Sequence, residues 1–202
     1  MICLWELLQD EQKEYLQEMV DEIQSLTNLE EASFDELMQG LPKVRAFFYE
    51  INRLKGTGPT LYLEPAETVN IGGVEVPAGT ELMVDCAYLS TLEGSGIPEG
   101  PKGEPAAEFC PKRWLSRESN TAQWNVTKPS PKNGVSFCSG FGGGVRICPG
   151  QDLAELEVIY CLACLLKHFE ISLKPNHEPM KLTTAFTETP NIDIEVVVKE
   201  RQ

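Results

Sequence analysis

Apolar residues recur at helical spacing from the start of the chain. Leu4, Leu7, Leu8, Tyr15, Leu16, Met19, Val20 and Ile23 share one face, and acidic residues fill the other. That period predicts one amphipathic helix over 4–26. It begins almost at Met1 with no capping signal, as if the chain were entered part-way. Ser33-Phe34-Asp35-Glu36 has the form of a capping box and predicts a short helix over 34–39, stopped by Gly40. Pro42 suits a first helical position, where its missing N–H costs nothing, so a helix is expected over 42–54. The period then drops to two. Leu61, Leu63, Val69, Ile71, Val74, Val76, Leu82 and Val84 alternate with polar residues, Gly72-Gly73 reads as a hairpin turn and Pro77-Ala78-Gly79 as another. Three or four short antiparallel strands are expected within 59–85. Residues 86–147 are rich in Gly, Pro and Ser and have little periodicity. They read as one long loop, and a loop of that length inside a compact domain is usually functional. A helix over 149–168, starting at Pro149, and strands over 169–173 and 192–198 complete the chain. No repeat or domain boundary shows, so the fold class expected is one α+β unit spanning 1–202.

Composition narrows the classes. With 202 residues and 42% apolar content the chain can bury a core, so disorder is a poor default. The net charge of −14 argues against binding nucleic acid or an anionic membrane surface. The charge is uneven: residues 1–40 are acidic, whereas Lys102, Lys112, Arg113, Arg117, Lys128 and Lys132 outnumber the acids of 101–135. That basic stretch is either a solvated loop or a docking surface for an acidic partner. No signal peptide is visible, and the apolar run at 156–166 contains Glu157 and is too short to span a membrane, so it reads as a buried helix. Seven cysteines, an odd number without the spacing of a disulfide scaffold, suggest reduced thiols.

The chemistry concentrates in Phe141-Gly-Gly-Gly-Val-Arg-Ile-Cys-Pro-Gly150. Three glycines allow close backbone approach and can turn N–H groups inward. Cys148 is expected at the N-cap of the helix that follows, where the positive end of the helix dipole favours a thiolate, with Arg146 adding a cation two residues away. A soft thiolate suits iron, copper or zinc.

This segment resembles the haem-ligand signature of the cytochrome P-450 family, F-x-x-G-x-R-x-C-x-G. Phe141, Gly144, Arg146, Cys148 and Gly150 fill its fixed positions, and Ala154 and Glu157 match its extension into the next helix. The resemblance implies a mainly helical fold with a small antiparallel sheet, and haem b (iron protoporphyrin IX) as cofactor. Cys148 would bind the proximal face of the iron, Arg146 would pair with a haem propionate, Phe141 would shield the sulfur, and Gly144 and Gly150 would let loop and helix lie close under the porphyrin. Two further elements resemble the family. Glu50-Ile-Asn-Arg53 is its E-x-x-R, and Phe109-Cys-Pro-Lys-Arg-Trp114 looks like its F-x-P-x-R-[FW]; Glu50, Arg53 and Arg113 would form a buried charged triad. The likeness runs from the acidic helix to the last strand, and Arg146 and Trp114 look more like eukaryotic members. It implies monooxygenation of a small hydrophobic organic substrate, with electrons from a flavoprotein reductase or a ferredoxin, in a parent expected at the endoplasmic-reticulum membrane.

The sequence also departs from the pattern. Leu63-Glu64-Pro65 offers no cation for the second propionate, and Ser90-Thr91-Leu92-Glu93-Gly94 replaces a His-Arg-Asp-Pro-like segment. The distal helix and N-terminal half of a full member are not in this sequence. The alternatives are therefore a catalytically incomplete half that supplies only the proximal haem wall and needs its missing partner, a peroxide-rearranging enzyme of the same fold, and a zinc-stabilised module built from Cys138, Cys148, Cys161 and Cys164. Cys161 and Cys164 read as buried core thiols, His168 as a helix cap, His177 as a loop residue without visible partner, and Trp5, Trp114 and Trp124 as packing residues.

Overall fold

A computed structural model describes residues 1–58, 60–92, 94–117, 123–129, 140–142, 147–184 and 187–201. The first amphipathic stretch is two helices, not one: α1 (Ile2–Leu7) and α2 (Lys13–Ser25), separated by a 3₁₀ turn at Asp10–Gln12. The break falls within a run of six polar residues, 9–14, that offers nothing to bury. Gln9 is extended (φ −70°, ψ 151°), and its side-chain amide donates to the carbonyl of Trp5 at 2.8 Å, helping to close α1. Helix α3 (Phe34–Gly40) has the capping box its sequence predicts, with Glu36 N–H donating to Ser33 Oγ and Ser33 N–H to Glu36.

Helix α4 (Pro42–Lys55) is the strut of the fold. Nine of its fourteen residues are buried, covering more than one face, as a helix enclosed on several sides must be. Val44, Phe47 and Ile51 join Met19 and Ile23 of α2 and Ile159, Leu162, Ala163 and Leu166 of α6 (Gln151–His168) in the main core. Ala46, Phe48 and Tyr49 join Trp114 in a second cluster. Each large apolar side chain buried this way contributes about 1.5–3 kcal/mol relative to leaving it in water. Helix α4 has no side-chain cap of its own. Instead Glu22, reaching across from α2, accepts the N–H groups of Lys43 (3.0 Å) and Val44 (3.3 Å). Burial outweighs those bonds and raises the Glu22 carboxyl to about 7.

The alternating region is strands β1 (Thr60–Leu63), β2 (Val69–Ile71), β3 (Val74–Val76) and β4 (Leu82–Asp85). Strands β1 and β4 pair antiparallel with Tyr62 opposite Met83, and β2–β3 form a hairpin through Gly72 and Gly73, whose φ values of +58° and +90° glycine adopts without strain. A short helix α5 (Cys86–Leu89) follows, capped by Asp85.

Several expectations need correction. The stretch 86–147 is not one loop. Besides α5 it holds a 3₁₀ turn at Pro111–Trp114 and the antiparallel pair β5 (Leu115–Arg117) and β6 (Trp124–Val126), three residues each and too short to show a period. Helix α6 starts at Gln151 with Gly150 as its N-cap, so Pro149 and Cys148 precede it in a turn closed by Gln151 N–H to the Cys148 carbonyl, 3.3 Å. The last strand is β10 (Val196–Glu200), paired antiparallel with β7 (Phe169–Leu173), rather than 192–198. A hairpin of β8 (Leu182–Thr184) and β9 (Glu188–Pro190) lies between β7 and β10 in the chain.

Candidate functional site

Two consecutive residues of α4 face opposite tasks. Glu50, fully buried, accepts from Arg53 Nη2 (2.6 Å) and Nε (2.9 Å), Arg113 Nε (3.0 Å), the Cys110 N–H (2.7 Å) and Trp114 Nε1 (2.8 Å). The two arginines spend their remaining donors on carbonyls of one loop: Arg53 on Ser90, Ala106 and Glu108, Arg113 on Pro98, Glu104, Pro105 and Glu108. Glu50, Arg53 and Arg113 thus meet, and they hold the irregular stretch from 90 to 110 by its backbone. A buried carboxylate so wrapped offsets its own dehydration. Trp114 is more than packing, because its indole N–H completes that shell.

Tyr49 turns the other way, toward α6. Its hydroxyl donates to Glu155 Oε1 at 2.5 Å, Arg45 Nε reaches the same oxygen at 3.2 Å, and Arg45 also donates to the Tyr49 hydroxyl and the Met38 carbonyl. Burial pushes the Tyr49 hydroxyl well above its ordinary range, so it stays a donor. Glu155 Oε2 has Lys128 Nζ at 2.9 Å, an ion pair without hydrogen-bond alignment, and Lys128 also reaches Asp152. Sequence reading missed this cluster. The signal was a carboxylate at 155 in phase with Ile159, Leu162, Ala163 and Leu166, on the stripe that faces the core.

Seven residues before Glu155 in the chain, Cys148 is free and exposed. Its N–H donates to the Phe141 carbonyl at 2.8 Å, so the turn before α6 is tied back to the start of the glycine run, where Gly142 has φ +77°. Phe141 packs against Phe48 of α4, ring centroids 6.4 Å apart. Just before it the backbones of Gly140 and Gly58 meet so closely that a Cβ on either would lie about 3 Å from the other's carbonyl oxygen. Gly144 and Arg146 lie outside the described residues. Ala154, one turn into α6, lines an apolar cleft of about 410 Å³ together with Phe48, Ile51, Phe141, Val158 and Pro190. Such a volume is in the range of small-ligand sites. The larger cleft, about 720 Å³ between Gln24, Lys167 and Arg201, is polar and lies at the other end of α6.

These donors suit an iron already held by a macrocycle. Cys148 offers one exposed thiol at the head of a helix. Among the described residues no three His, Cys, Asp or Glu side chains gather as a bare zinc ion would require; Cys138 lies outside them. Ile147 and Leu153, at the same end of α6, are each about half exposed, at 48% and 58%, and give that end an apolar surface for a flat ligand to cover.

Other expected sites are placed differently. Within the basic stretch Arg113 is inside, Lys112 pairs with Glu18 of α2 at 2.6 Å and Lys128 is engaged with Glu155, while Lys102 and Arg117 are exposed and Lys132 lies outside the described residues. The acidic helix is close enough to neutralise part of it. Cys161 is exposed rather than a core thiol, whereas Cys164 is half-buried and packs against the main core. His168 pairs with Glu30 at 3.1 Å, while Arg201 supplies donors to the carbonyls of Leu166 and Phe169 at that helix end. His177 has partners after all: Nδ1 lies 2.6 Å from the Glu178 carbonyl, Nε2 accepts from Glu195 N–H, and the ring stands 5.0 Å from that of Trp5. No helix among the described residues is long and apolar enough to cross a membrane.

Known proteins similar to this chain are numerous. A human protein named 25-hydroxyvitamin D-1 alpha hydroxylase, mitochondrial, is 28% identical over 165 residues, 82% of this chain and 29% of its own length. Methyltetrahydroprotoberberine 14-monooxygenase of Papaver somniferum is 30% identical over 157 residues, 78% of this chain and 27% of its own length. The chain therefore spans less than a third of either relative. A crystal structure of a cytochrome P450 superposes with a TM-score of 0.73 at 22% identity, covering 99% of this chain and 41% of that one, which supports the α+β fold with small antiparallel sheets. The profile of the family described as Cytochrome P450 matches residues 2–196. With residues 2–196 of its 202 matched, this chain belongs to the cytochrome P450 family.

Proposed function

We propose that residues 1–202 form the C-terminal, haem-binding part of a cytochrome P450 domain and that Cys148 is the axial thiolate of its haem b. The observation that carries this reading is the exposed Cys148 thiol before α6, its backbone tied to Phe141 and apolar surface at the same helix end. Two relatives bear the names hydroxylase and monooxygenase, which supports monooxygenation of an organic substrate. When bound, the haem supplies the iron at which oxygen is activated, with a thiolate ligand favouring O–O cleavage. In the overall reaction one oxygen atom enters the substrate and the other leaves as water, taking up two electrons and two protons. The electrons come from a flavoprotein reductase or a ferredoxin.

The chain's own residues divide the remaining work. Cys148 presents its sulfur, and its N–H bond to Phe141 fixes the turn that carries it. Phe141 and Ala154 keep the neighbourhood apolar, and the apolar cleft they share with Phe48 and Val158 suits a hydrophobic substrate or a porphyrin edge. Gly144 and Arg146 fill the family's loop and propionate positions. Gly150 lies at the helix entrance, where a Cβ would sit 3.7 Å from the Cys148 sulfur. Glu50, Arg53 and Arg113 hold the preceding loop rigid rather than touching the reaction. The test is the absorption spectrum of the haem-reconstituted chain after reduction and addition of carbon monoxide. A strongly red-shifted Soret band, lost in Cys148→Ala, is the expected result. A band at the position of neutral-ligand haem would overturn the assignment of Cys148.

A further inference from the structure

Helix α6 is pinned differently at its two ends. At the C-terminal end, directional bonds hold it: Gln24 donates to the Lys167 carbonyl (3.0 Å), Lys167 Nζ to the Leu26 carbonyl (3.0 Å) and Arg201 Nε to the Leu166 carbonyl (3.2 Å). Along its middle it rests on Ile159, Leu162 and Ala163, contacts that are non-directional and permit a helix to roll. At the N-terminal end the directional anchor to α4 is Glu155, through Tyr49 and Arg45, with Lys128 closing from the other side. Cys148 lies just ahead of that end. A roll of 20° about the helix axis moves an atom at the outer radius of the helix by roughly 2 Å. Displacements of that size are large for an iron ligand, whose supporting geometry must hold within about 0.5 Å.

We propose that Glu155 is a positioning residue that sets the rotation of α6 about its axis, and with it the place of the Cys148 sulfur, by locking onto Tyr49 and Arg45. The residue before Glu50 thus orients the helix after the cysteine, while Glu50 itself secures the loop before it. Tyr49 makes the lock sharp, since a phenol held as a donor has one direction in which to point. The inference about Cys148 as an iron ligand rests on the function proposed above; the inference about helix rotation does not.

The test is hydrogen exchange on the chain itself, in wild type, Glu155→Gln and Tyr49→Phe. Glu155→Gln keeps the size of the side chain and gives up the charge. The amides of Cys148 and of residues 154–156 are expected to exchange about tenfold faster in Glu155→Gln, while amides 162–166, pinned from Gln24 and Arg201, stay within about twofold of wild type. Tyr49→Phe, which removes one hydroxyl, gives a smaller rise in the same place and decides the matter should Glu155→Gln not fold. A uniform rise along α6, or none, would overturn the proposal, because a residue that merely adds stability loosens the whole helix. On the haem-reconstituted chain, Glu155→Gln is expected to convert part of the red-shifted carbon monoxide band to the neutral-ligand position. A wild-type chain without that band would sink the iron-ligand reading alone, and the exchange pattern would still decide the rotation.

Discussion

Glu50 and Glu155 are both buried carboxylates that bind arginine, and they are built on opposite plans. Around Glu50 both oxygens are saturated, and its two arginine partners have fully buried side chains. Around Glu155 one oxygen takes both the tyrosine and the arginine while the other has an unaligned lysine, and the cationic side chains are 18% and 37% exposed. The first arrangement cannot be opened without stranding charge inside the protein. The second can be opened at its rim. Depth of the partners, more than depth of the carboxylate, decides how much each cluster is worth and how far it can serve as an adjustment.

The sharpest way to break this comparison is to remove each carboxylate in turn. Glu50→Ala leaves Arg53 and Arg113 without their anion in a site they cannot leave, and is expected to cost about 3–5 kcal/mol, seen as collapse of the urea midpoint or loss of folded protein. Glu155→Ala lets Arg45 and Lys128 turn outward to water, so the cost should be nearer 2–3 kcal/mol in the same titration. Equal losses would show that partner exposure does not set the scale.

Glu22 supplies an intermediate case, a carboxylate that caps α4 from outside and is partly open to solvent. Its folded value of about 7 stands above the ordinary 4.5, so the folded chain holds this proton more tightly than the unfolded one. Its contribution to stability is present in full below about 4.5 and is lost as the pH rises through about 7. Relative to Glu22→Gln, the wild type should lose about 1–2 kcal/mol between pH 5 and pH 8, measured as the difference between the two urea midpoints. The smallest effect expected is that of Tyr49→Phe, about 1 kcal/mol, because it removes the bonds to Glu155 and from Arg45 but leaves the Arg45–Glu155 ion pair in place.

What could be read from the sequence follows the same division. The capping box at Ser33, the helix opened by Pro42 and the hairpin at Gly72-Gly73 are local devices, and local devices are written in adjacent residues. Glu50, Arg53 and Arg113 were legible because they sit in spaced motifs. Glu155 was not, since its partners lie on two other segments and nothing in the spacing joins Arg45 to 155. The break between α1 and α2 was masked by one continuous apolar phase, although the polar run 9–14 marked it. Strands of three residues, such as β5 and β6, show no period to find. The position of Cys148 was off by two residues relative to the helix cap because Pro149 suits both the first turn of a helix and the tight turn that precedes one.

The backbone contact between Gly58 and Gly140 has a consequence for how this protein can vary. The chain passes Gly58 just beyond the end of α4 and comes back beside itself at Gly140, so the lobe between them starts and ends at one point, and its 90–114 stretch is bound to α4 through Glu50. Among the described residues the hairpin of β2 and β3 in that lobe pairs with no other strand. Residues can be inserted at its tip, or trimmed from it, while the base keeps its shape and Cys148 its address. The two glycines themselves have no such freedom. Each carries a backbone carbonyl where the other's side chain would go, so a change at either, or at both, must move the backbone, whereas the hairpin tip can lengthen without touching it.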